Sequence, residues 1–123
     1  MASPVQVAQQ LGGFYYQTFK TNRGQLASLY KDQSVLSWNG EEVKGAAAIA
    51  TKLTELPFEK VEFNVMNCDA QISNPDIGTI IVLVSGQLSI DDGPGLNFTQ
   101  AFQLVPEGGS YWIYNDIFRL VLQ

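Results

Sequence analysis

Residues 79–105 have the sequence TIIVLVSGQLSIDDGPGLNFTQAFQLV, which predicts two long strands joined by a turn. Residues 79–90 and 97–105 are rich in β-branched and aromatic side chains, whereas residues 91–95 consist of the Asp, Gly and Pro that turns favour. Gly86, inside the first strand, predicts a bulge that would curve the sheet. This stretch therefore predicts a curved antiparallel sheet.

Two more strands are predicted on either side of this pair. Residues 61–65 alternate apolar and polar side chains, the period-two pattern of a strand with Val65 on its core face. A loop at residues 73–76 leads from this strand to the central pair, and a turn at residues 107–109 leads to a last strand at residues 111–122. These segments extend the central pair into a meander of antiparallel strands.

A short hairpin and three helices precede the meander. Residues 34–38 and 41–44 flank Asn39-Gly40, a strong hairpin signal because both turn positions tolerate positive φ. Apolar side chains at helical spacing, caps at the starts and Pro57 as a stop signal predict the helices. They are residues 4–19, residues 22–30, which the polar residues 31–33 end, and the alanine-rich residues 45–56.

This order of elements, helices first and then antiparallel strands, predicts an α+β fold. The 123 residues have the common size of one domain, so we expect a single domain over residues 1–123. We expect a cone-shaped domain in which a curved, mostly antiparallel sheet wraps around the N-terminal helices. The open end of such a cone would leave a cavity.

The composition limits the classes of partner. Twelve acidic residues against seven basic ones give a net charge of −5, which repels a polyanion, so no nucleic-acid partner is expected. No apolar run approaches the roughly 20 residues of a membrane-spanning helix, so no membrane association is expected. Hydrophobic residues make up 46% and charged residues 15% of the chain, which favours a surface that another protein chain covers.

The single cysteine and the absence of histidine exclude several kinds of site. Cys68 has no partner for an internal disulfide, and one Cys without His does not form a zinc site. Residues 1–13 lack the basic start and apolar block of an export signal, so an intracellular protein is expected. We expect no metal and no cofactor.

Catalysis is not favoured by the sequence. The usual general base, His, is absent, and the Ser and Cys residues therefore lack a partner for nucleophilic catalysis. Glu59, Asp69 and Asp116 remain possible carboxylate bases if burial raises their pKa values. For each of them a turn, a cap or a solvated acid is the favoured interpretation, so we expect no catalytic residue.

The acidic turn at residues 91–95 is a candidate binding element. It joins two long strands and should project from the open end of the cone. Apolar side chains at neighbouring strand ends and turns could line a socket beside it: Trp38, Phe58, Leu88, Ile90, Leu96 and Phe98. Such a socket suits a protein partner that offers one aromatic side chain beside basic residues. The alternative is an ordinary solvated turn above core residues.

Five short segments, spread from the first predicted helix to the last predicted strand, carry a specific resemblance. They are Phe14-Tyr15-Tyr16-Gln17, Gln25-Leu26-Ala27-Ser28-Leu29-Tyr30, Leu53-Thr54-Glu55-Leu56-Pro57-Phe58, Gly86-Gln87-Leu88 and Asn115-Asp116-Ile117-Phe118-Arg119-Leu120. In this order and nearly this spacing they are similar to segments of the nuclear transport factor 2 family. The Leu-Pro-Phe and Asn-Asp-Ile-Phe-Arg-Leu blocks separate the chain from enzymes that share the fold.

The resemblance implies a carrier. Members of the family have the same cone-shaped, cystatin-like fold and form homodimers through the outer faces of their sheets. They bring the GDP form of the small GTPase Ran into the nucleus and bind FxFG repeats of nucleoporins. For this chain the resemblance thus implies Ran-GDP, FxFG nucleoporins and a second copy of itself as partners. It implies residence in the cytoplasm and the nucleus, with a concentration at the nuclear envelope and nuclear pore.

The resemblance also implies binding residues. The Ran-binding cavity falls on Trp38, Phe58, Leu88, Ile90, Leu96, Phe98 and Phe118. Its acidic rim falls on Asp91, with Asp92 as a second acid. Two other family acids are replaced by Asn39 and Gly93, for which Glu41 or Asp92 could substitute.

The seam that binds FxFG repeats and joins the two copies is implied at four positions. These are Pro4, Val5, Leu83 and Ile117. The family has an aromatic residue near the N-terminus that this chain lacks at Pro4-Val5. Plain dimer packing is the alternative role for Leu83 and Ile117.

Two other functions remain open on the sequence alone. A small-molecule-binding protein or an enzyme of the isomerase or dehydratase type, built on the same cone, would require a carboxylate or Tyr with a perturbed pKa deep in a closed cavity. A dimerising domain of a messenger-RNA exporter would usually belong to a longer chain or a fixed heterodimer.

Overall fold

The computed structural model describes residues 3–121, which form two α-helices, one 3₁₀ helix and a six-stranded sheet. The helices are α1 (Pro4–Thr21), the 3₁₀ helix (Arg23–Leu29) and α2 (Ala46–Thr54). The strands are β1 (Tyr30–Trp38), β2 (Glu41–Lys44), β3 (Val61–Asn74), β4 (Thr79–Ile90), β5 (Leu96–Glu107) and β6 (Ser110–Val121). The predicted end of the last strand at Leu122 lies outside the described residues.

The first helix, α1, begins where the sequence predicts it. The Ser3 side chain accepts a hydrogen bond from the Gln6 backbone, and the Gln6 side chain accepts one from the Ser3 backbone, which completes a capping box. Pro4 in the first turn lacks only an N–H that would have no helical partner. The helix buries Tyr15, Tyr16 and Phe19 against the sheet.

The sheet has the strand order β2-β1-β6-β5-β4-β3. All neighbours pair antiparallel except β1 and β6, which are parallel. The sheet is curved and the helices lie against its concave side. The predicted α+β cone, with its mostly antiparallel sheet around N-terminal helices, is confirmed.

The first strand starts four residues earlier than the sequence predicts. Residues 31–33 belong to β1 and do not end a helix. Tyr30 pairs with Ile113 of β6, and its buried hydroxyl donates to Asp116. Residues 31–33 lie at the register shift between the paired residues Tyr30 and Val35, so pairing with β6 on both sides outweighs their local polar character.

The bulge that Gly86 predicts lies in the neighbouring strand. The register shift occurs in β3 between Val65 and Asn67, and Gly86 of β4 pairs with Val65. A Cβ atom at Gly86 would overlap the carbonyl oxygen of Asn64, so only glycine allows this close approach. Val65 pairs with the buried Gly86, in phase with the core residue Val61 as the alternation predicts, but it is 41% exposed. Beyond it, β3 continues to Asn74, into the predicted loop.

The two faces of the sheet differ in what covers them. Along β4, Ile80, Val82 and Val84 point to the core, whereas Ile81 and Leu83 alternate with them and are exposed. The outer face of the sheet therefore carries apolar side chains that no other element within residues 3–121 covers.

No helix of the described residues is long and apolar enough to cross a membrane.

A row of small and apolar residues crosses the centre of this outer face. Leu83 of β4 pairs with Ala101 of β5, and Ala101 pairs with Ile117 of β6. Leu83 is 55% exposed and Ile117 is 54% exposed. We call these three residues the outer-face row.

Candidate binding site

Aromatic residues cluster between the last turn of α1 and the end of the sheet that carries the β4–β5 turn. Trp38 of β1 stacks on Phe118 of β6 with a centroid distance of 4.0 Å and an interplanar angle of 7°. A small cavity lies among the apolar side chains Phe19, Trp38, Phe58, Val61, Phe63, Leu88, Ile90, Phe118 and Leu120. We call this set the aromatic cavity.

The aromatic cavity contains part of the residue set that the sequence predicts. Trp38, Phe58, Leu88, Ile90 and Phe118 line it. Phe98 is buried one layer deeper, with its ring 5.6 Å from Phe118, and Leu96 is partly buried against the core.

The structure adds Phe19, Val61, Phe63 and Leu120 to the predicted lining residues. Phe19 and Phe63 are both on the faces that the helical and strand periodicities assign to the core. A signal for them therefore existed, but periodicity does not distinguish a core side chain from a cavity lining.

The aromatic cavity is nearly filled by its own side chains. Its volume is about 10 Å³, close to that of a single water-sized probe. The Trp38 ring occupies the space between Phe118 and Phe19, whose ring centroid lies 5.9 Å from that of Trp38. A further aromatic ring therefore enters only if Trp38 or a neighbouring wall moves.

The β4–β5 turn places two acids at the edge of this cavity. Asp91 and Asp92 have positive φ values of 50° and 61° and are exposed. Asp91 Oδ1 accepts hydrogen bonds from the backbone N–H groups of Glu59 (3.1 Å) and Lys60 (2.8 Å). Asp91 thus holds the segment that follows Phe58.

The second acid of the turn forms an exposed ion pair. Asp92 Oδ1 lies 2.8 Å from the Lys60 ammonium group. The hydrogen bond and the charge of Asp92 raise the pKa of Lys60 above its ordinary value. Because both side chains are more than half exposed, this pair can exchange for other partners.

Asn39 and Gly93 stand where the family has acids, and Glu41 is a possible replacement for one of those acids. All three make contacts within the protomer. The Asn39 side chain accepts a hydrogen bond of 2.8 Å from the Leu120 backbone. Glu41 pairs with Lys52 at 2.8 Å, so its charge is partly neutralised within the protomer. The Gly93 backbone N–H donates to Ile90 and closes the turn. Asp92 is likewise paired, with Lys60, so both acids remain candidate substitutes.

The structure adds one residue that the sequence did not single out. Arg23 begins the 3₁₀ helix, and its Nη2 donates to the Phe58 carbonyl oxygen at 2.8 Å. Its guanidinium carbon lies 4.8 Å from the centroid of the Phe58 ring and 5.9 Å from that of Phe19. Nη1 is buried and has no hydrogen-bond partner among residues 3–121.

A buried polar cluster lies in the core. Asp116 is fully buried and accepts hydrogen bonds from Tyr30 (2.6 Å), Gln100 (2.7 Å) and Tyr15 (3.4 Å). Burial raises the pKa of Asp116 to about 6, against hydrogen bonds that lower it. Burial also raises the pKa values of both tyrosines.

Asp116 is the one acid for which the predicted solvated or capping role is wrong. Residue 114 is the extra residue at the register shift in β6, after which Asp116 faces the core. Glu59 and Asp69 are exposed, as expected for solvated acids. Asp116 does not line the aromatic cavity, and both of its carboxylate oxygens accept hydrogen bonds from neighbouring side chains. The cluster is therefore a structural network.

The predicted seam residues lie in two different layers of the protomer. Pro4 and Val5 form the first turn of α1, in the helical layer, and Val5 is 40% exposed. Leu83 and Ile117 belong to the outer-face row, on the other side of the sheet. One protomer does not bring the two pairs onto one surface.

Among the described residues, no group of three or more His, Cys, Asp or Glu side chains is arranged to hold a metal ion. Cys68 is free and half-buried in β3, and burial raises the pKa of its thiol.

The chain is similar to known proteins over nearly its whole length. Residues 7–120 match the family model of the "Nuclear transport factor 2 (NTF2) domain". Nuclear transport factor 2 of Emericella nidulans is 49% identical over 98% of each chain. The structure of nuclear transport factor 2 from Cryptosporidium parvum is 44% identical, with a TM-score of 0.88 over 94% of this chain and 93% of the other.

Enzymes share the fold at much lower identity. A hexachlorocyclohexane dehydrochlorinase is 11% identical, with a TM-score of 0.78 over 94% of this chain and 84% of the other. Similarity at this level concerns the fold alone.

Proposed function

The chain belongs to the nuclear transport factor 2 family and is a nuclear transport carrier, not an enzyme, and on this premise we propose that it carries the GDP form of Ran into the nucleus. The site that we assign to Ran is the aromatic cavity with the acidic turn at its edge. The observation that carries this proposal is the position of Asp91 and Asp92 beside a cavity lined only by apolar side chains.

The aromatic cavity accounts for affinity. An aromatic side chain of Ran that displaces Trp38 and becomes fully buried contributes about 1.5–3 kcal/mol. The rings of Phe19, Phe58 and Phe118 then offer edges and faces to the entering ring. Moving Trp38 away from Phe118 offsets part of this gain, so we expect moderate affinity, which suits a carrier that must release its cargo.

The acidic turn accounts for specificity. Asp91 Oδ2 and the exchangeable Asp92 carboxylate are available to basic side chains next to the entering ring. An exposed ion pair contributes only about 0.2–1 kcal/mol, whereas truncating one partner of a desolvated charge pair costs about 2–5 kcal/mol. The loss of affinity on replacing each acid therefore shows whether Ran covers that acid in the complex.

Selectivity for the GDP form resides in Ran. GTPase switch segments change conformation between the two nucleotide states, so an aromatic side chain on such a segment is presented in only one of them. In the other state the aromatic cavity then has no presented side chain to bind.

The experiment is a binding titration of the protein with Ran loaded with GDP and, separately, with GTP. Asp91→Asn keeps an oxygen for the two backbone N–H groups and removes the charge, and Asp92→Asn removes the neighbouring charge. Asp76→Asn, in the exposed β3–β4 turn, is the matched control. We expect the GDP form alone to bind, and Asp91→Asn or Asp92→Asn to weaken it by about tenfold or more if Ran covers that acid. Equal binding of both forms, or of neither, contradicts the proposal.

We also propose that the carrier is a homodimer, with one domain per chain. The outer-face row presents exposed Leu83 and Ile117 at the centre of a sheet surface that the protomer leaves uncovered. Two such faces packed together would bury these side chains, at about 25 cal/mol per Å² of apolar surface. A two-fold axis would let each row contact its copy.

Binding to FxFG repeats follows from the family and from the dimer. Pro4 and Val5 of one protomer and the outer-face row lie in different layers, so a common seam would require the second protomer. We propose that the repeats bind there and concentrate the protein at the nuclear pore, with residence in both cytoplasm and nucleus. Weak binding at two copies of the seam adds avidity and still permits rapid exchange.

The enzyme alternative has one supporting observation, the buried Asp116 with its raised pKa beside two tyrosines. Its second requirement, a cavity that holds a ligand against those groups, is not fulfilled by the aromatic cavity, which Asp116 does not line. Asp116 therefore supports the fold and not a reaction.

A further inference from the structure

We propose that Arg23 is a positioning residue of the aromatic cavity, which fixes Phe58 as one wall and keeps the cavity in the shape that receives an aromatic side chain. The identity of the ligand rests on the proposed function, whereas the role of Arg23 in the free protein does not.

Phe58 lies in a segment with little regular structure of its own. Residues 55–60, between α2 and β3, belong to no helix or strand. Within the segment the Phe58 N–H donates to Leu56, and Asp91 accepts from the two residues that follow. The Phe58 carbonyl oxygen is bound by Arg23. Two side chains from distant parts of the sequence therefore fix the segment, one through its carbonyl group and one through its N–H groups.

The guanidinium group contacts the cavity wall in two ways. It donates a hydrogen bond to the Phe58 backbone and lies over the Phe58 ring, and it also approaches the ring of Phe19. Both rings line the aromatic cavity. A planar, delocalised cation stacks on aromatic faces in a way that a lysine ammonium does not reproduce. The orientation of Phe58 thus depends on arginine at this position.

The guanidinium group makes its aromatic contacts although one of its nitrogens is unpaired among the described residues. Nη1 is buried without a hydrogen-bond partner among the described residues, and a buried donor left unpaired is unfavourable. What the group gains at this position is contact with the two rings of the cavity.

The test measures two properties separately: the accessibility of Trp38 inside the aromatic cavity and the affinity for Ran loaded with GDP. The chain has two tryptophans, so a Trp112→Phe background leaves Trp38, inside the aromatic cavity, as the sole reporter. Arg23→Met and Arg23→Lys are compared in this background by acrylamide quenching of Trp38 fluorescence and by titration with Ran loaded with GDP. Lys20→Met is the matched control, because Lys20 is a neighbouring cation that pairs with Glu62 and does not contact Phe58. Thermal unfolding confirms that each variant is folded at the temperature used.

With Arg23→Met we expect stronger quenching of Trp38 and binding about tenfold weaker, the change that corresponds to losing one hydrogen bond to a charged donor. Arg23→Lys should lie between Arg23→Met and the parent, and Lys20→Met should match the parent. Unchanged quenching and affinity in folded Arg23→Met overturn the proposal. If Arg23→Met does not fold, Arg23→Lys decides, and parent-like quenching with parent-like affinity overturns it. If the parent itself does not bind Ran, the proposed function fails, while quenching, which needs no ligand, still tests Arg23.

Discussion

Replacing Asp116 by asparagine should change how the stability of the protein depends on pH. In the folded protein burial raises the pKa of Asp116 from 3.8 to about 6, so the folded state binds the proton more tightly than the unfolded state. The contribution of Asp116 protonation to the stability of the folded state is therefore fully present below pH 3.8. It is lost as the pH rises through about 6. A shift of about 2 pKa units corresponds to about 3 kcal/mol.

Asparagine is the appropriate replacement because its amide has the shape of the protonated carboxyl group and also carries donor hydrogens on one side. At pH 4 the variant and the parent should thus differ least. From pH 4 to pH 7 the free energy of unfolding of Asp116→Asn should rise relative to the parent by about 2.4 kcal/mol, or somewhat less if solvent relaxes around the buried charge.

The assay is urea unfolding followed by fluorescence at several pH values between 4 and 7.5. Asp69→Asn is the control, because Asp69 is exposed on the same sheet. The free energy of unfolding of Asp116→Asn relative to the parent should change with pH. The same difference for Asp69→Asn should change with pH far less. A difference for Asp116→Asn that stays constant over this range would refute the account of a carboxyl group made more basic by burial.

Other substitutions test the fold and the proposed interface. Gly86→Ala places a methyl group against the Asn64 carbonyl and should lower the free energy of unfolding by about 1–3 kcal/mol, whereas Gly13→Ala in α1 meets no atom and should raise it by up to about 1 kcal/mol. Calorimetry measures both, and equal effects would argue against the close approach. Ser3→Ala removes the capping box and should destabilise the protein by about 1 kcal/mol in the same assay. Leu83→Glu should give monomers in sedimentation velocity where the parent and the turn variant Ile77→Glu are dimers, and a dimeric Leu83→Glu would contradict the proposed interface.

The sequence predicts the strands and the hairpin well because local chemistry determines them. Asn39 and Gly40 have the positive φ values of 51° and 93° that their turn signal implies. The alternation along residues 79–90 places Ile80 and Val82 on the core side, as a half-buried strand requires. Within such segments each residue needs only its neighbours to determine its conformation.

The features that the sequence does not predict depend on contacts between residues that are distant in the sequence. The start of β1 at Tyr30 follows from pairing with β6, and the bulge lies across from Gly86 because two strands meet there. Arg23 is separated from Phe58 by 35 residues, so no spacing rule connects them. Asp116 has the appearance of a surface acid in an alternating strand until the irregularity at residue 114 turns it inward.

The strand order also determines when the protein can fold. The strand β6, the last described strand in the sequence, lies in the interior of the sheet between β1 and β5. While the chain is being synthesised, the β1–β2 hairpin therefore stays separate from the rest of the sheet until β6 has left the ribosome, and the β5 edge of the meander remains open until then. Pairing between β1 and β6 closes a loop of about 80 residues, and such non-local contacts slow folding. We expect chaperones to meet this chain mainly in that interval, with the apolar faces of its strands still unburied.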